Sequence, residues 1–228
     1  MKKINKIVVL AIMLLTISYS YPQAMLIKNV ENIAENILIV DKKIKEKNDF
    51  INIDVEIPQI NGLLNKEREK VINNEILDYT NMWINEGKQA SQEFKPTLPY
   101  EYYARYDVKN QGKALSFYIG YYQFSGGAHG ITVRRPYNIN IENGEYINLN
   151  ELFEKNFDYI TYINENIKKE INKNPEYYFT GKDGFKGIKE NQDFYIKNGK
   201  LIIHFPYYEI APYAAGMPEF TIDLPVNM

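Results

Sequence analysis

Two short segments hold most of the side chains whose types and spacing could do chemistry. In Tyr121-Tyr122-Gln123-Phe124-Ser125-Gly126-Gly127-Ala128-His129-Gly130, a histidine sits between small residues after an aromatic run. In Phe205-Pro206-Tyr207-Tyr208-Glu209-Ile210-Ala211-Pro212-Tyr213-Ala214-Ala215-Gly216, a carboxylate lies among tyrosines and prolines. His129 on an exposed turn could serve as metal ligand, general base or sugar contact. Its plainer use is to shape the loop and donate to a backbone carbonyl. Tyr207, Tyr208 and Tyr213 offer flat apolar faces with polar tips, suited to sugars or protein loops. Glu209 could accept from sugar hydroxyls or pair with a partner's arginine. The competing use of these tyrosines is to plug a sheet and satisfy the irregular backbone that Pro206 and Pro212 create. Arg134 and Arg135 follow the glycine turn, as ligand contacts or as a solvated strand edge. The candidate ligand-binding residues are His129, Arg134, Tyr207, Tyr208, Glu209 and Tyr213.

Signatures of a reaction are missing. Ser125-Gly126-Gly127 lies on a turn and lacks the strand–helix context of a Gly-x-Ser-x-Gly elbow. The sequence has no phosphate loop and no His-Glu-x-x-His. Cysteine is absent, which removes disulfides, zinc–thiolate sites and a Cys nucleophile. His129 and His204 are the two histidines, a poor metal set unless carboxylates complete it. No catalytic, metal or cofactor-binding residue is assigned. A carboxylate pair for glycoside hydrolysis depends on spacing in three dimensions, so a small envelope hydrolase is the alternative. A purely structural secreted domain is a further one.

The elements that must position these residues read as α+β. Residues 37–44 and 50–57 alternate apolar and polar, with Ile51, Ile53, Val55 and Ile57 on one face. Pro58 is expected to end that strand. A helix is expected over about 64–93, with Val71, Ile72, Glu75, Ile76, Tyr79 and Trp83 at helical spacing. Residues 102–109 and 114–124 read as strands around Asn110-Gln111-Gly112, and 131–141 as another, closed by Asn143-Gly144. A helical region opens at Leu149, continues through Tyr159, Ile163, Ile167 and Ile171, and stops at Pro175. Phe194–Ile196 and Leu201–Phe205 form a hairpin over Asn198-Gly199, and Phe220, Ile222 and Leu224 a last strand. Short turns predict an antiparallel sheet with two main helices packed on one face. One cooperative unit is expected.

The N-terminus reads as an address. Lys2, Lys3 and Lys6 precede an apolar run from Ile7 to Ile17, and Ser18 and Ser20 are spaced like a cleavage pair. Residues 1–20 are expected to be a signal peptide that exports the chain from the cytoplasm, and 21–36 a polar segment. The run falls short of the roughly 20 apolar residues of a membrane span, so membrane contact requires an uncleaved signal. The chain carries 27 basic and 29 acidic residues. Cleavage after Ser20 would remove three lysines and leave a net charge of −5. An acidic domain argues against nucleic acid and favours a basic protein partner.

Several ordered landmarks carry a family resemblance. They are Val55-Glu56-Ile57-Pro58-Gln59-Ile60, Gly62-Leu63, the run from Ser116 to Gly130, Asn143-Gly144 and Leu149-Asn150-Glu151-Leu152-Phe153. Asn191-Gln192-Asp193-Phe194-Tyr195, Asn198-Gly199 and the Pro/Tyr-rich segment complete the set. From about Ile37 to Leu224 the chain resembles the paired extracytoplasmic domains of the anti-sigma-V factor (RsiV-like) family. The same pair precedes the catalytic domain of PdaC-type peptidoglycan deacetylases. The resemblance implies a PdaC-type subdomain over 37–129 and an RsiV-like one over 130–228. It also implies recognition of cell-wall glycan or a lysozyme-like protein. Only six residues precede the apolar run and four follow Leu224, so neither a sigma-factor partner nor a deacetylase domain is expected.

Overall fold

The computed structural model describes residues 37–225. The expected signal peptide and polar segment, 1–36, lie outside the described residues.

The chain builds two sheets, each covered by one helix. The first is five-stranded in the order β1-β2-β3-β4-β5. Its strands are β1 (Leu38–Lys47), β2 (Ile51–Asn61), β3 (Tyr100–Gln111), β4 (Ala114–Phe124) and β5 (Ile131–Asn140). The second joins β6 (Phe194–Lys197), β7 (Lys200–His204) and β8 (Glu219–Ile222) in chain order. Helix α1 (Lys66–Phe94) lies across β2 and β3, and helix α2 (Tyr159–Ile171) against β8. The α+β class stands. The strands divide between two sheets, however, and each helix covers its own. Among the described residues no helix is long and apolar enough to cross a membrane.

All pairings are antiparallel except β2 with β3, which run parallel from Ile51↔Tyr100 to Val55↔Ala104. The helix explains the exception. A strand that re-enters its sheet after a crossover helix must run parallel. Asn65 caps α1 by accepting from the Arg68 N–H (3.1 Å), and Lys95 closes it in the left-handed region at φ 43°. Its buried stripe is Ile72, Ile76, Thr80, Trp83, Ile84, Gly87 and Ser91. Val71 turns outward instead, one position off that stripe. Trp83 is 7% exposed and donates its indole N–H to Gln123 (3.0 Å).

Pro58 does not end β2; it pairs with Asp41 inside the strand. Strand β3 leaves β2 after Val55, so at Pro58 one side of the strand has no ladder partner. A residue without an N–H is tolerated there. Residue 130 precedes β5, which completes the first sheet; the chain passes to the second sheet after Asn140.

A buried polar latch joins the two sheets. The Ser116 hydroxyl donates to Asn138 Oδ1 (2.7 Å) and accepts from the Ile196 N–H (2.8 Å). The Asn138 amide donates to the Phe194 carbonyl (2.8 Å). Thus β4 and β5 satisfy the backbone of the edge strand β6 that lies against them, as a buried sheet edge requires.

Candidate binding surface

The Tyr-rich segment follows β7 as two tight turns. The Glu209 N–H bonds back to the Pro206 carbonyl (3.3 Å), so Tyr207 and Tyr208 occupy the corner of a β-turn. Tyr208 takes φ 66°, a corner usually given to glycine. Pro212 then leads into a short 3-10 turn, Tyr213–Ala215, and buried Phe205, Ile210 and Ala211 anchor the segment. The opposing turn runs from Ser125 to His129, every residue exposed, with Gly126 and Gly127 at φ 95° and 92°. A side chain at Gly130 would meet the Tyr122 ring at 2.4 Å, so the chain re-enters β5 under that ring, which any Cβ there would have to push aside.

These two segments meet. The His129 ring stacks on Tyr213 with centroids 3.9 Å apart, and Tyr213 in turn lies 4.5 Å from Tyr207 and 5.8 Å from Tyr208. The Tyr213 hydroxyl donates to the Gly130 carbonyl (3.1 Å). His129 Nδ1 lies 2.9 Å from that same carbonyl, which can only accept, so Nδ1 carries a hydrogen. In the neutral ring Nε2 then accepts, and the Tyr208 hydroxyl donates to it at 3.2 Å. His129 thus has the loop-shaping bond to a carbonyl and also faces solvent. Tyr208 is 50% exposed, Tyr207 and Tyr213 half-buried. The result is a projecting aromatic ridge.

The other two candidates point elsewhere. Glu209 accepts from Lys189 Nζ (2.7 Å) at the wall of a cavity of about 550 Å³ that Lys182 and Lys186 also line, and that Tyr208 borders from the ridge side. Arg134 is ion-paired with Glu219 and lies over the Tyr118 ring at 4.7 Å. The second Glu219 oxygen accepts from Tyr195 (3.0 Å). His204 sits beyond this pair, 1% exposed, with neither ring nitrogen hydrogen-bonded. Burial, then the positive charge of Arg134, pushes its pKa down to about 4. Among the described residues no three His, Asp or Glu side chains converge as a metal set.

Sequence reasoning missed a groove of about 850 Å³ where α1, β5, the 3-10 turn Leu149–Leu152 and the loop before β6 meet. Glu75, Arg135, Tyr146, Asn150, Tyr159 and Asp193 are among its walls. Tyr146 donates to Glu75 (2.5 Å), and burial with that carboxylate raises the phenol pKa. Partial burial, then the charge of Glu209, holds the Asp193 carboxyl above the usual range. The sequence signals were the Leu149–Phe153 and Asn191–Tyr195 landmarks, which came without a role.

Comparison with known proteins places this architecture. Residues 44–132 match the family model described as Deacetylase PdaC, and 150–224 the model described as Protein of unknown function (DUF3298). The anti-sigma-V factor RsiV of Bacillus subtilis (strain 168) is 32% identical over 203 residues, covering 79% of this chain and 65% of that protein. The peptidoglycan-N-acetylmuramic acid deacetylase PdaC of the same organism is 27% identical over 105 residues, 44% of this chain and 22% of that one. The chain therefore spans less than two thirds of either relative. A crystal structure of a DUF3298 family member from Bacteroides fragilis NCTC 9343 superposes with a TM-score of 0.60 at 18% identity, covering 82% of this chain and 90% of that chain. One from Pseudomonas aeruginosa PAO1 gives 0.58 at 15%, covering 83% and 90%. These two share the fold. The matches bear out the resemblance to the RsiV-like and PdaC-type domain pair.

Proposed function

We propose that this chain, similar over most of its length to an anti-sigma-V factor, is an exported, non-catalytic binding module of the cell envelope. Its aromatic ridge seats in the cleft of a lysozyme-like protein. The observation that carries this reading is Tyr208. A large aromatic ring at φ 66° is strained, and strain of this kind concentrates at functional sites. Here it holds an exposed ring whose hydroxyl bonds to His129, beside Tyr213, and such a ring can insert into a partner's cleft. The acidic chain suits a basic partner. The second reading puts cell-wall glycan on the same ridge, favoured by the exposed tyrosine faces.

A pull-down of the protein against purified lysozyme and against peptidoglycan tests both. Retention on lysozyme, lost in Tyr208→Ala and Tyr213→Ala without a large fall in melting temperature, supports the first reading. Retention on peptidoglycan alone replaces it with the second. Retention on neither ends both. Export is tested by fractionation, which should find the protein outside the cytoplasm with its N-terminus near Tyr21.

A further inference from the structure

The groove beside α1 differs from the ridge in shape and chemistry. It is concave, and several of its polar groups are unpaired. Among the described residues the Asp193 carboxylate makes no hydrogen bond or ion pair, and the Asn150 and Asn191 amides have no partners. Arg135 lies over the Tyr79 ring at 4.0 Å and interacts with the Tyr79 and Tyr137 phenols, and among the described residues it forms no ion pair with a carboxylate. Such groups converging on one cavity mark a ligand site.

The lining narrows the ligand. Glu75, Glu190 and Asp193 outnumber the single cation Arg135, which disfavours anions, nucleic acid included. The wall is too polar for a lipid tail. Carboxylates accept strongly from hydroxyls, a guanidinium donates two parallel N–H groups, and an amide does both. The half-buried rings of Tyr146 and Tyr159 add apolar faces. Planar polar groups spaced between aromatic faces suit a ring that carries hydroxyls on its edge and C–H bonds on its face.

We propose that this groove binds a short neutral oligosaccharide, held by Arg135, Asn150, Asn191 and Asp193 against Tyr146 and Tyr159, at a site distinct from the ridge. The proposal does not depend on what the ridge binds.

Calorimetric titration of the full chain with N-acetylglucosamine oligomers, dimer to hexamer, tests it. Affinity should rise with length until the groove is filled. Arg135→Ala, and the pair Asn150→Ala with Asn191→Ala, should each weaken hexamer binding by about tenfold or more. Both asparagine side chains are exposed and make no hydrogen bond among the described residues, so the melting temperature of the double variant should not move. Tyr208→Ala should leave hexamer binding unchanged, and the groove variants should keep any capture of lysozyme. No binding of the hexamer at millimolar concentration overturns the proposal. So does an equal loss in Tyr208→Ala, or loss of lysozyme capture in the groove variants. Binding of the cationic tripeptide Lys-Ala-Ala in place of the hexamer would overturn the saccharide assignment.

Discussion

Tyr208 donates its hydroxyl to His129 across 79 positions of sequence, and it does so from a left-handed backbone that a tyrosine rarely adopts. The bond ties the glycine turn before β5 to the turn after β7. Strain and contact are therefore two sides of one arrangement, and they can be separated by mutation.

Tyr208→Gly should relieve the positive φ and remove the ring together. Left-handed backbone disfavours non-glycine residues by roughly 1–2 kcal/mol. The variant should melt no lower than the parent, and higher if the ring contributes little to folding. Capture by the ridge's partner should fall about tenfold or more, as for an exposed aromatic anchor. Thermal melts and pull-downs run together check this. A variant that melts lower and still captures its partner would make Tyr208 a purely structural residue.

Acid should weaken the fold through His204. Its folded pKa of about 4 lies below the ordinary value of 6.5, so the unfolded chain binds the extra proton first. The stabilisation is complete above pH 6.5 and is lost as pH falls through the window from 6.5 to 4. The total is on the order of 3 kcal/mol, at about 1.4 kcal/mol per unit. Arg134 and Glu219 face this ring, the first opposing the proton and the second favouring it. Denaturant unfolding at stepped pH should show the slope in the parent and a flatter one in His204→Phe.

The latch between the sheets should respond to one hydroxyl. Ser116→Ala leaves the buried Ile196 N–H without its acceptor and Asn138 without its donor. The loss should be about 1–3 kcal/mol. Hydrogen exchange at Ile196 should accelerate before exchange in β2 does. Equal acceleration in both would mean that the two sheets open only as one.

Trp83→Ala should be the costliest of these changes. The indole is buried against Tyr102 and Tyr121, at ring distances of 4.7 and 5.1 Å. Truncation should lower stability by about 3–5 kcal/mol. A chemical melt gives the value, and a change under 1 kcal/mol would mean that the site collapses around the gap.

Much of this fold was legible because one face of each element is buried. The alternation of Ile51, Ile53, Val55 and Ile57 has a simple physical cause: all four face α1's core and are at most 1% exposed. Ile163 and Ile167 likewise marked the inner face of α2. The division into two sheets was not legible, because period-two patterning says which face a strand buries but not which strand it joins. That Arg134 lies apart from the ridge was not legible for a similar reason. Its partner Glu219 lies 85 positions away and no local signal links them. Four of the six candidate residues do share the ridge, since glycine and proline announce turns wherever they occur. The groove stayed hidden because Glu75, Arg135, Asn150, Tyr159 and Asp193 come from five separate parts of the chain.

The ridge is assembled from one loop of each sheet: His129 leads into the first, and Tyr208 and Tyr213 lie between two strands of the second. Neither loop presents the surface alone. A molecule that recognises the ridge therefore recognises the docked state of both halves, in the manner of a coincidence detector. A nick or local opening between Asn140 and Phe194 that let the sheets part would dissolve the epitope without touching one of its residues. Partner binding, in turn, would hold the sheets together.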